Sequence, residues 1–589
     1  GTLLRDRSAA DRNILIYKAG QTDLAEFKTT NTDLTTTILG VTTDAARTAI
    51  IGYIRGESAY NPDNWKLGDI FRAAPVTVAT PSAYFEDLRD TGSSPNAFAT
   101  HRTNHVRAST GTNPQRILLV GANDGQLHAF KASDGSEAWS FIPPNQLSRL
   151  KLIAHATEPT ALTHQYFVDG PLTVADAWIP ATASAGTSKS ASDWHTLAIS
   201  SEGRGGGTTL WSSSASCETG FNSAYSSTYT QYCGYYGLDL NSSLTPTFKW
   251  RLGFSSAQAP YMGAPWSKMM VGRVWLSGNE RWVGFIGGGV STSGAANSGK
   301  GFFVVDLYDG TVLWSYTKAD NSNLDSPMPA PPAVVDTDND GFIDRAYIGD
   351  LGSNMWRMKF CSYADGSSCG TSSWTGGRLF EANSSSGNRP IYTTAAVAKD
   401  TSGNLWVYWG TGDKTDPTSS SAQEKFIGLK DTDGSSTRTI SDLQNITSEG
   451  SYYDADTKYG YYINLAGQGE KMLADPTVFG NLVYFTTYTP AQGGDPCGTA
   501  GTAKLYGLNF KTGAGALPLT DSPRSMSIGT GIASAPVISM KPSGGLTPDL
   551  YVTTSGGGGT ASQTQRVNIN PPGLSNRTNL LFWKDKRVE

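Results

Sequence analysis

Ile117–Phe141, ILLVGANDGQLHAFKASDGSEAWSF, and Gly301–Tyr316, GFFVVDLYDGTVLWSY, carry one pattern twice. In each, an Asp-Gly pair (Asp134-Gly135, Asp309-Gly310) lies between apolar runs, and a Trp (Trp139, Trp314) follows four residues after the Gly. Each Trp is succeeded by Ser and an aromatic residue. Asp-Gly between alternating apolar runs predicts a hairpin, because Gly accepts the positive φ that a tight turn requires. Asn123-Asp124-Gly125 adds a second turn inside the first copy. The Trp is a broad apolar plate suited to packing one sheet on its neighbour.

Looser copies extend the pattern along the chain. Tyr235–Leu240 leads to Trp250, and Tyr347-Ile348-Gly349-Asp350 leads to Trp356. Trp406–Trp409 precedes Phe426–Leu429, Leu482–Thr487 pairs with Leu505–Leu508, and Leu550–Val552 pairs with Leu580–Trp583. The copies amount to roughly seven sheets, which predicts an all-β fold: an irregular, roughly seven-bladed β-propeller with quinoprotein-like blades. Residues 66–589 would form the propeller. Residues 1–65 read as a linker and helical segment: Thr35–Ile54 has apolar spacing nearer a helix than a strand, with Asp44 as its cap. Asn13–Tyr17 is the expected ring-closing partner of the last strand, since blade edges are protected when a ring closes on itself.

Composition narrows the function classes. Charged residues are 16% of the chain, against roughly 25% in ordinary globular proteins, and Gly numbers 66. The net charge of -5 leaves no electrostatic footprint for nucleic acid. No stretch of roughly 18 or more apolar residues is present, so the chain is not membrane-spanning through a helix. The opening at Gly1, with no leader-like run, reads as a processed or truncated product. Cys217/Cys233 and Cys361/Cys369 flank polar loops and are expected to be local disulfide staples, which implies an oxidising compartment; Cys497 is left over.

Asp336-Thr-Asp338-Asn-Asp340-Gly341-Phe342-Ile-Asp344 is the strongest local motif. Ca²⁺ takes six to eight oxygens at roughly 2.3–2.6 Å in a loop that curls around it. Asp336, Asp338, Asp340 and Asp344 fall at positions one, three, five and nine, with the Phe342 carbonyl at seven. The solvated acidic turn is the bland alternative. Position twelve is Tyr347 rather than a bidentate Glu, and short apolar runs bounded by Pro and Gly flank the loop. The cation would therefore pin a connection between strands, not open a pair of helices.

Other motifs do not complete a site. Gly294–Gly301 approaches a phosphate loop, but Gly301 stands where Ser or Thr is needed, and a strand follows in place of a helix. His101 and His105 would share a helical face without an intervening Glu, and are expected to be surface or hydrogen-bonding residues. His128, His155, His164 and His195 stand alone in the sequence, and no catalytic residues emerge. Gly203-Arg204-Gly205-Gly206-Gly207 could hold an anion through backbone amides or simply be a loop.

Taken in order, several phrases resemble the carboxy-terminal propeller of the PilC/PilY family of type IV pilus tip proteins. They are Leu67–Ile70, Ala74–Val76, Val120–Phe130, Tyr166–Gly170, the acidic loop, Tyr347–Leu351 with Trp356-Arg357, Trp409–Gly412, and Ile528–Gly531 with Ala535–Val537. The resemblance covers nearly the whole chain from about residue 60 onward. It implies a Ca²⁺ site on Asp336, Asp338, Asp340, Phe342 and Asp344, and no enzymatic activity. It further implies minor pilins and the pilus fibre as partners, with roles in adhesion, pilus assembly, twitching motility and control of retraction. The location it implies is extracellular, at a pilus tip or outer cell surface reached through the periplasm. The sequence has no Asp-x-Ser-x-Ser metal motif and no Arg-Gly-Asp; the nearest string is Arg55-Gly56-Glu57. A quinoprotein dehydrogenase shares the Gly…Asp-Gly…Trp blades but would need adjacent cysteines and an eight-bladed ring. A generic secreted propeller scaffold is the third reading.

Overall fold

The glycines of the two opening repeats sit where the turns require them. Gly125, Gly135 and Gly310 have φ of 91°, 75° and 77°. They join Ile117–Gly121 to Leu127–Lys131, Leu127–Lys131 to Glu137–Ile142, and Gly301–Asp306 to Val312–Thr317. All three pairs are antiparallel. In this computed structural model the described residues are 2–17, 22–81, 97–111, 114–154, 164–181, 188–207, 234–291, 296–382, 389–454, 457–492, 500–517, 524–539, 548–557 and 561–569. They form seven sheets built mainly of antiparallel neighbours, with few helices. No described helix is long and apolar enough to cross a membrane. Cys361 and Cys369 are both disulfide-bonded, as the local staple requires. Cys217, Cys233 and Cys497 lie outside the described residues.

The chain divides into two compact units. The first runs to Pro327 and includes Gly366–Thr371; the second comprises Met328–Asp365 and the described residues from Ser372 onward. Three sheets make up the first unit, of six, four and four strands. Trp139 plays its expected part there: it is fully buried among Phe141, Tyr236, Leu238 and Phe248, and its Nε1 donates to the Ser243 carbonyl at 2.8 Å. Trp314 does not. It is only half-buried, beside Phe302 and Tyr316 of its own sheet.

The segment through residue 65 belongs to this unit's core. Ile14–Ile16 lies between Ala25–Glu26 and Glu137–Ile142, antiparallel to the one and parallel to the other. Both of its edges are thus used in the first sheet, which corrects its expected role as the ring-closing partner of the last strand. Leu580–Trp583 lies outside the described residues. Thr35–Thr43 forms turns, and the helix spans Asp44–Arg55. Thr43 is the cap, with an extended backbone and a side-chain oxygen that accepts from Ala46 N–H at 3.2 Å; Asp44 is the first helical residue instead. The apolar face of the helix (Ile50, Ile51, Ile54) packs with Ile14, Ile16, Ile142 and Leu150.

Four sheets make up the second unit, of five, five, four and three described strands. Trp406–Trp409 pairs with Ile427–Lys430, and Leu482–Thr487 with Lys504–Asn509, as the sequence predicts. One turn device recurs here. In Asp350-Leu-Gly-Ser-Asn354-Met-Trp356, the Asp carboxylate accepts from the N–H groups of Gly352 and Asn354, from Asn354 Nδ2, and from Trp356 Nε1 at 2.8 Å. Asp400-Thr-Ser-Gly-Asn404-Leu-Trp406 repeats the arrangement, with Trp406 Nε1 donating to Asp400 at 3.1 Å. Each carboxylate ties a hairpin turn to the buried Trp of the strand it feeds.

Candidate metal centre

The acidic loop joins Ala333–Val335 to Arg345–Gly349, adjacent antiparallel strands whose last and first residues, Val335 and Arg345, face each other. The loop is therefore closed at its base by the sheet. Its tip reverses at Asn339 (φ 61°) and Gly341 (φ 90°), left-handed positions that Asn and Gly tolerate best. This path turns the alternating carboxylates inward. Asp336, Asp338 and Asp340 each offer an oxygen within 4.8 Å of the other two. Asp336 accepts from the N–H of Asp340 at 3.2 Å and of Gly341 at 2.6 Å, and Asp340 Oδ1 accepts from Phe342 N–H at 2.7 Å.

The electrostatics show what the loop lacks from its own atoms. Burial raises the pKa of Asp336, and the charges of Asp340 and Asp338 push it further up against the Gly341 hydrogen bond. Asp336 thus meets repulsion from its two neighbours that the Gly341 amide only partly offsets. A hard cation is the species that would relieve it, and the donor set, all oxygen, suits Ca²⁺.

Asp344 does not join the three. Its carboxylate accepts from Thr337 N–H at 3.1 Å and from the Thr337 hydroxyl at 2.5 Å, closing the loop across its own base. It is buried, and burial raises its pKa to about 6. Phe342 anchors the tip: its ring is buried and stacks on Tyr363 at 6.1 Å with 4° between the planes.

Two contributors were not legible in the motif. Tyr363 N–H donates to Asp340 Oδ2 at 2.6 Å, and Lys399 Nζ donates to the Thr337 carbonyl at 2.8 Å. Both come from segments beyond the loop, so no local spacing announces them. The histidines also differ from their isolated appearance. His128 bridges Asp124 and Glu137, each at 2.9 Å, His164 bonds Asp69 at 2.8 Å, and His195 bonds Asp239 at 2.5 Å. His101 and His105 do share the helix Ala97–Asn104 and its end, but His101 is fully buried, not on the surface, and 3.9 Å from Asp176. His155 lies outside the described residues, as do residues 294 and 295 of the Gly294–Gly301 run; the strand expected after that run begins at Gly301.

Comparison with known proteins fits this architecture. A family described as the PilY1 beta-propeller domain matches residues 67–415. Type IV pilus biogenesis factor PilY1 of Pseudomonas aeruginosa (strain PAK) is 25% identical over 527 residues, which are 79% of this chain and 40% of the relative. A PilY1 homolog of Xylella fastidiosa is 26% identical over 523 residues, 82% of this chain and 36% of the relative. The chain therefore spans well under half the length of these relatives. The crystal structure of the P. aeruginosa PilY1 C-terminal domain superposes with a TM-score of 0.57 at 20% identity, covering 84% of this chain and 99% of that domain. With the family match extending over more than half of its residues, the chain belongs to the PilY1 β-propeller family.

Proposed function

We propose that this chain is a calcium-binding module of a type IV pilus biogenesis factor, acting at the pilus tip in assembly, adhesion and control of retraction. The observation that carries the reading is the convergence of Asp336, Asp338 and Asp340 in a loop closed by adjacent strands of a PilY1-family propeller. The three carboxylates, with the Phe342 carbonyl, would hold Ca²⁺. Asp344 would act through Thr337, keeping the loop's base closed. The role is binding, without covalent chemistry. The cation favours the ordered loop by the amount that it prefers that state, and so biases whatever contact the loop makes with minor pilins or the fibre.

The test is calcium titration by calorimetry on the wild-type chain and on Asp340→Ala, alongside capture of minor pilins with calcium and with chelator. One-site binding lost in Asp340→Ala, together with calcium-dependent capture, supports the proposal. Binding with no effect on capture reduces calcium to a structural staple. Normal calcium affinity in Asp340→Ala or Asp338→Ala refutes the site assignment.

A further inference from the structure

In the glycine-rich run Gly203–Gly207, packing explains the glycines and leaves the one arginine to account for. A side chain at Gly203 would meet the Asp169 and Gly170 backbone, and one at Gly205 would meet the Phe167 carbonyl. The run is a tight turn, Gly203–Gly206, laid flush on residues 167–170, with Gly205 N–H already donating to the Glu202 carbonyl at 2.8 Å. The close packing of Gly203 and Gly205 and the Gly205 hydrogen bond tie the turn to the fold, which favours the plain-loop reading over an anion cradle. What the turn presents is Arg204.

Arg204 stands between two rings. Its guanidinium lies 5.1 Å from the Tyr166 centroid and 5.5 Å from that of Trp266, and Nη1 donates to the Tyr166 hydroxyl at 3.1 Å. A second guanidinium, Arg72, sits 3.6 Å over the same Trp266 ring. Its backbone is held by Asp169, which accepts from Arg72 N–H at 3.1 Å. Beside Arg72, Phe71 is 60% exposed and 6.0 Å from Tyr166. His164 is exposed, packs edge-on to Tyr166 at 4.8 Å, and bonds Asp69 through Nε2, which fixes the ring.

These residues form one aromatic and cationic platform within the first unit. A guanidinium matches a carboxylate by bidentate hydrogen bonding, and Arg204 brings one to this platform. An exposed aromatic face beside it suits the C–H face of a pyranose ring, and a fixed imidazole suits its hydroxyls. The flat apolar face and the hydroxyl partner beside the guanidinium favour an acidic sugar, which would use all three, over an acidic peptide, which an arginine holds by charge alone. The geometry points to a binding site for uronic-acid units of an acidic glycan on Phe71, Arg72, Tyr166, Arg204 and Trp266. The site would supply a ligand for the adhesive role proposed above, and it stands without calcium or a pilus.

The test uses calorimetry on the full chain in chelator, with galacturonate, glucuronate and mannuronate trimers, the methyl ester of the best binder, and an oligoglutamate of equal charge. The expected result is saturable binding of at least one trimer. Esterification and Arg204→Ala should each weaken it at least tenfold, Phe71→Ala severalfold, and oligoglutamate should bind at least tenfold more weakly. Arg204→Lys, which keeps the charge but not the fork, guards against a folding defect and should weaken binding with an unchanged melting curve. No binding by any trimer, equal binding by the ester or oligoglutamate, or full affinity in both Arg204 variants overturns the proposal. Because chelator is present throughout, loss of the calcium reading leaves this result unaffected.

Discussion

Tyr363 N–H donates to Asp340 Oδ2 at 2.6 Å, so the acidic loop is tied to a segment 23 residues further along the chain as well as to its own strands. The Phe342 and Tyr363 rings stack across the same junction. Asp340 thus serves two structures at once, and removing its carboxylate should loosen both. Asp340→Ala is expected to lose calcium binding by at least two orders of magnitude and to raise hydrogen exchange at Tyr363. Thr337→Val should weaken calcium by about tenfold or less, because it opens only the Asp344 brace. Calorimetry and exchange mass spectrometry on the two variants separate these outcomes. Equal losses in both would show that Asp344 and Thr337 belong to the cation's own shell.

Calcium should also stabilise the second unit thermodynamically. A ligand that binds only the folded state contributes about 2.7 kcal/mol at a free concentration one hundred times its Kd. Thermal unfolding followed with increasing calcium should show a melting transition that climbs with the logarithm of concentration. In Asp338→Ala the transition should stay where chelator leaves it. A wild-type curve insensitive to calcium would leave the three carboxylates as a solvated turn.

The parts of the fold that were legible in the sequence share a local cause. Asp134-Gly135 and Asp309-Gly310 announce hairpins because positive φ excludes most side chains within a single turn. Asp336, Asp338 and Asp340 announce their convergence because alternation and a Gly at the tip are enough to curl nine residues. What stayed hidden depends on distance along the chain. Arg12 donates to both oxygens of Glu137, 125 residues away, at 2.9 Å, and to Gln126 and the Ile54 carbonyl. Nothing near Arg12 signals that partner, so the first residues read as a linker when they lead into an interior strand of the first sheet. Trp314 shows the converse failure. It matches Trp139 in spacing, yet burial is decided by what packs against the strand, and that is not written in the repeat.

His128 makes the same buried network pH-dependent. Its ring is fully buried between Asp124 and Glu137, at 2.9 Å from each. Burial alone would lower its pKa, but the two carboxylates overcome that and raise it from 6.5 to about 9. A raised histidine contributes its full stability below about 6.5 and loses it as pH climbs through about 9. At ~1.4 kcal/mol per pKa unit the contribution is on the order of 3 kcal/mol. Urea unfolding at pH 6, 8 and 9.5 should show this decline in the wild type. His128→Ala should be less stable at pH 6 and should lose the part of the decline that lies above pH 8.

Glu202 supplies an independent slope at lower pH. It is fully buried, Asn145 Nδ2 donates to its Oε2 at 2.8 Å, and burial raises its pKa from 4.5 to about 8. For an acid raised on folding, the native state binds the proton more tightly than the unfolded chain. Stability must then fall as pH rises from 4.5 towards 8, because burial opposes the charge that solution chemistry favours. Gln carries the neutral shape at every pH. Glu202→Gln should match the wild type near pH 4.5 and exceed it near pH 8, whereas His128→Ala should fall below the wild type near pH 6. Combined in one chain, the two substitutions should act additively, since Glu202 and His128 share no hydrogen-bond partner in the described network. A double variant that keeps a steep decline between pH 5 and 9 would show that a different group titrates.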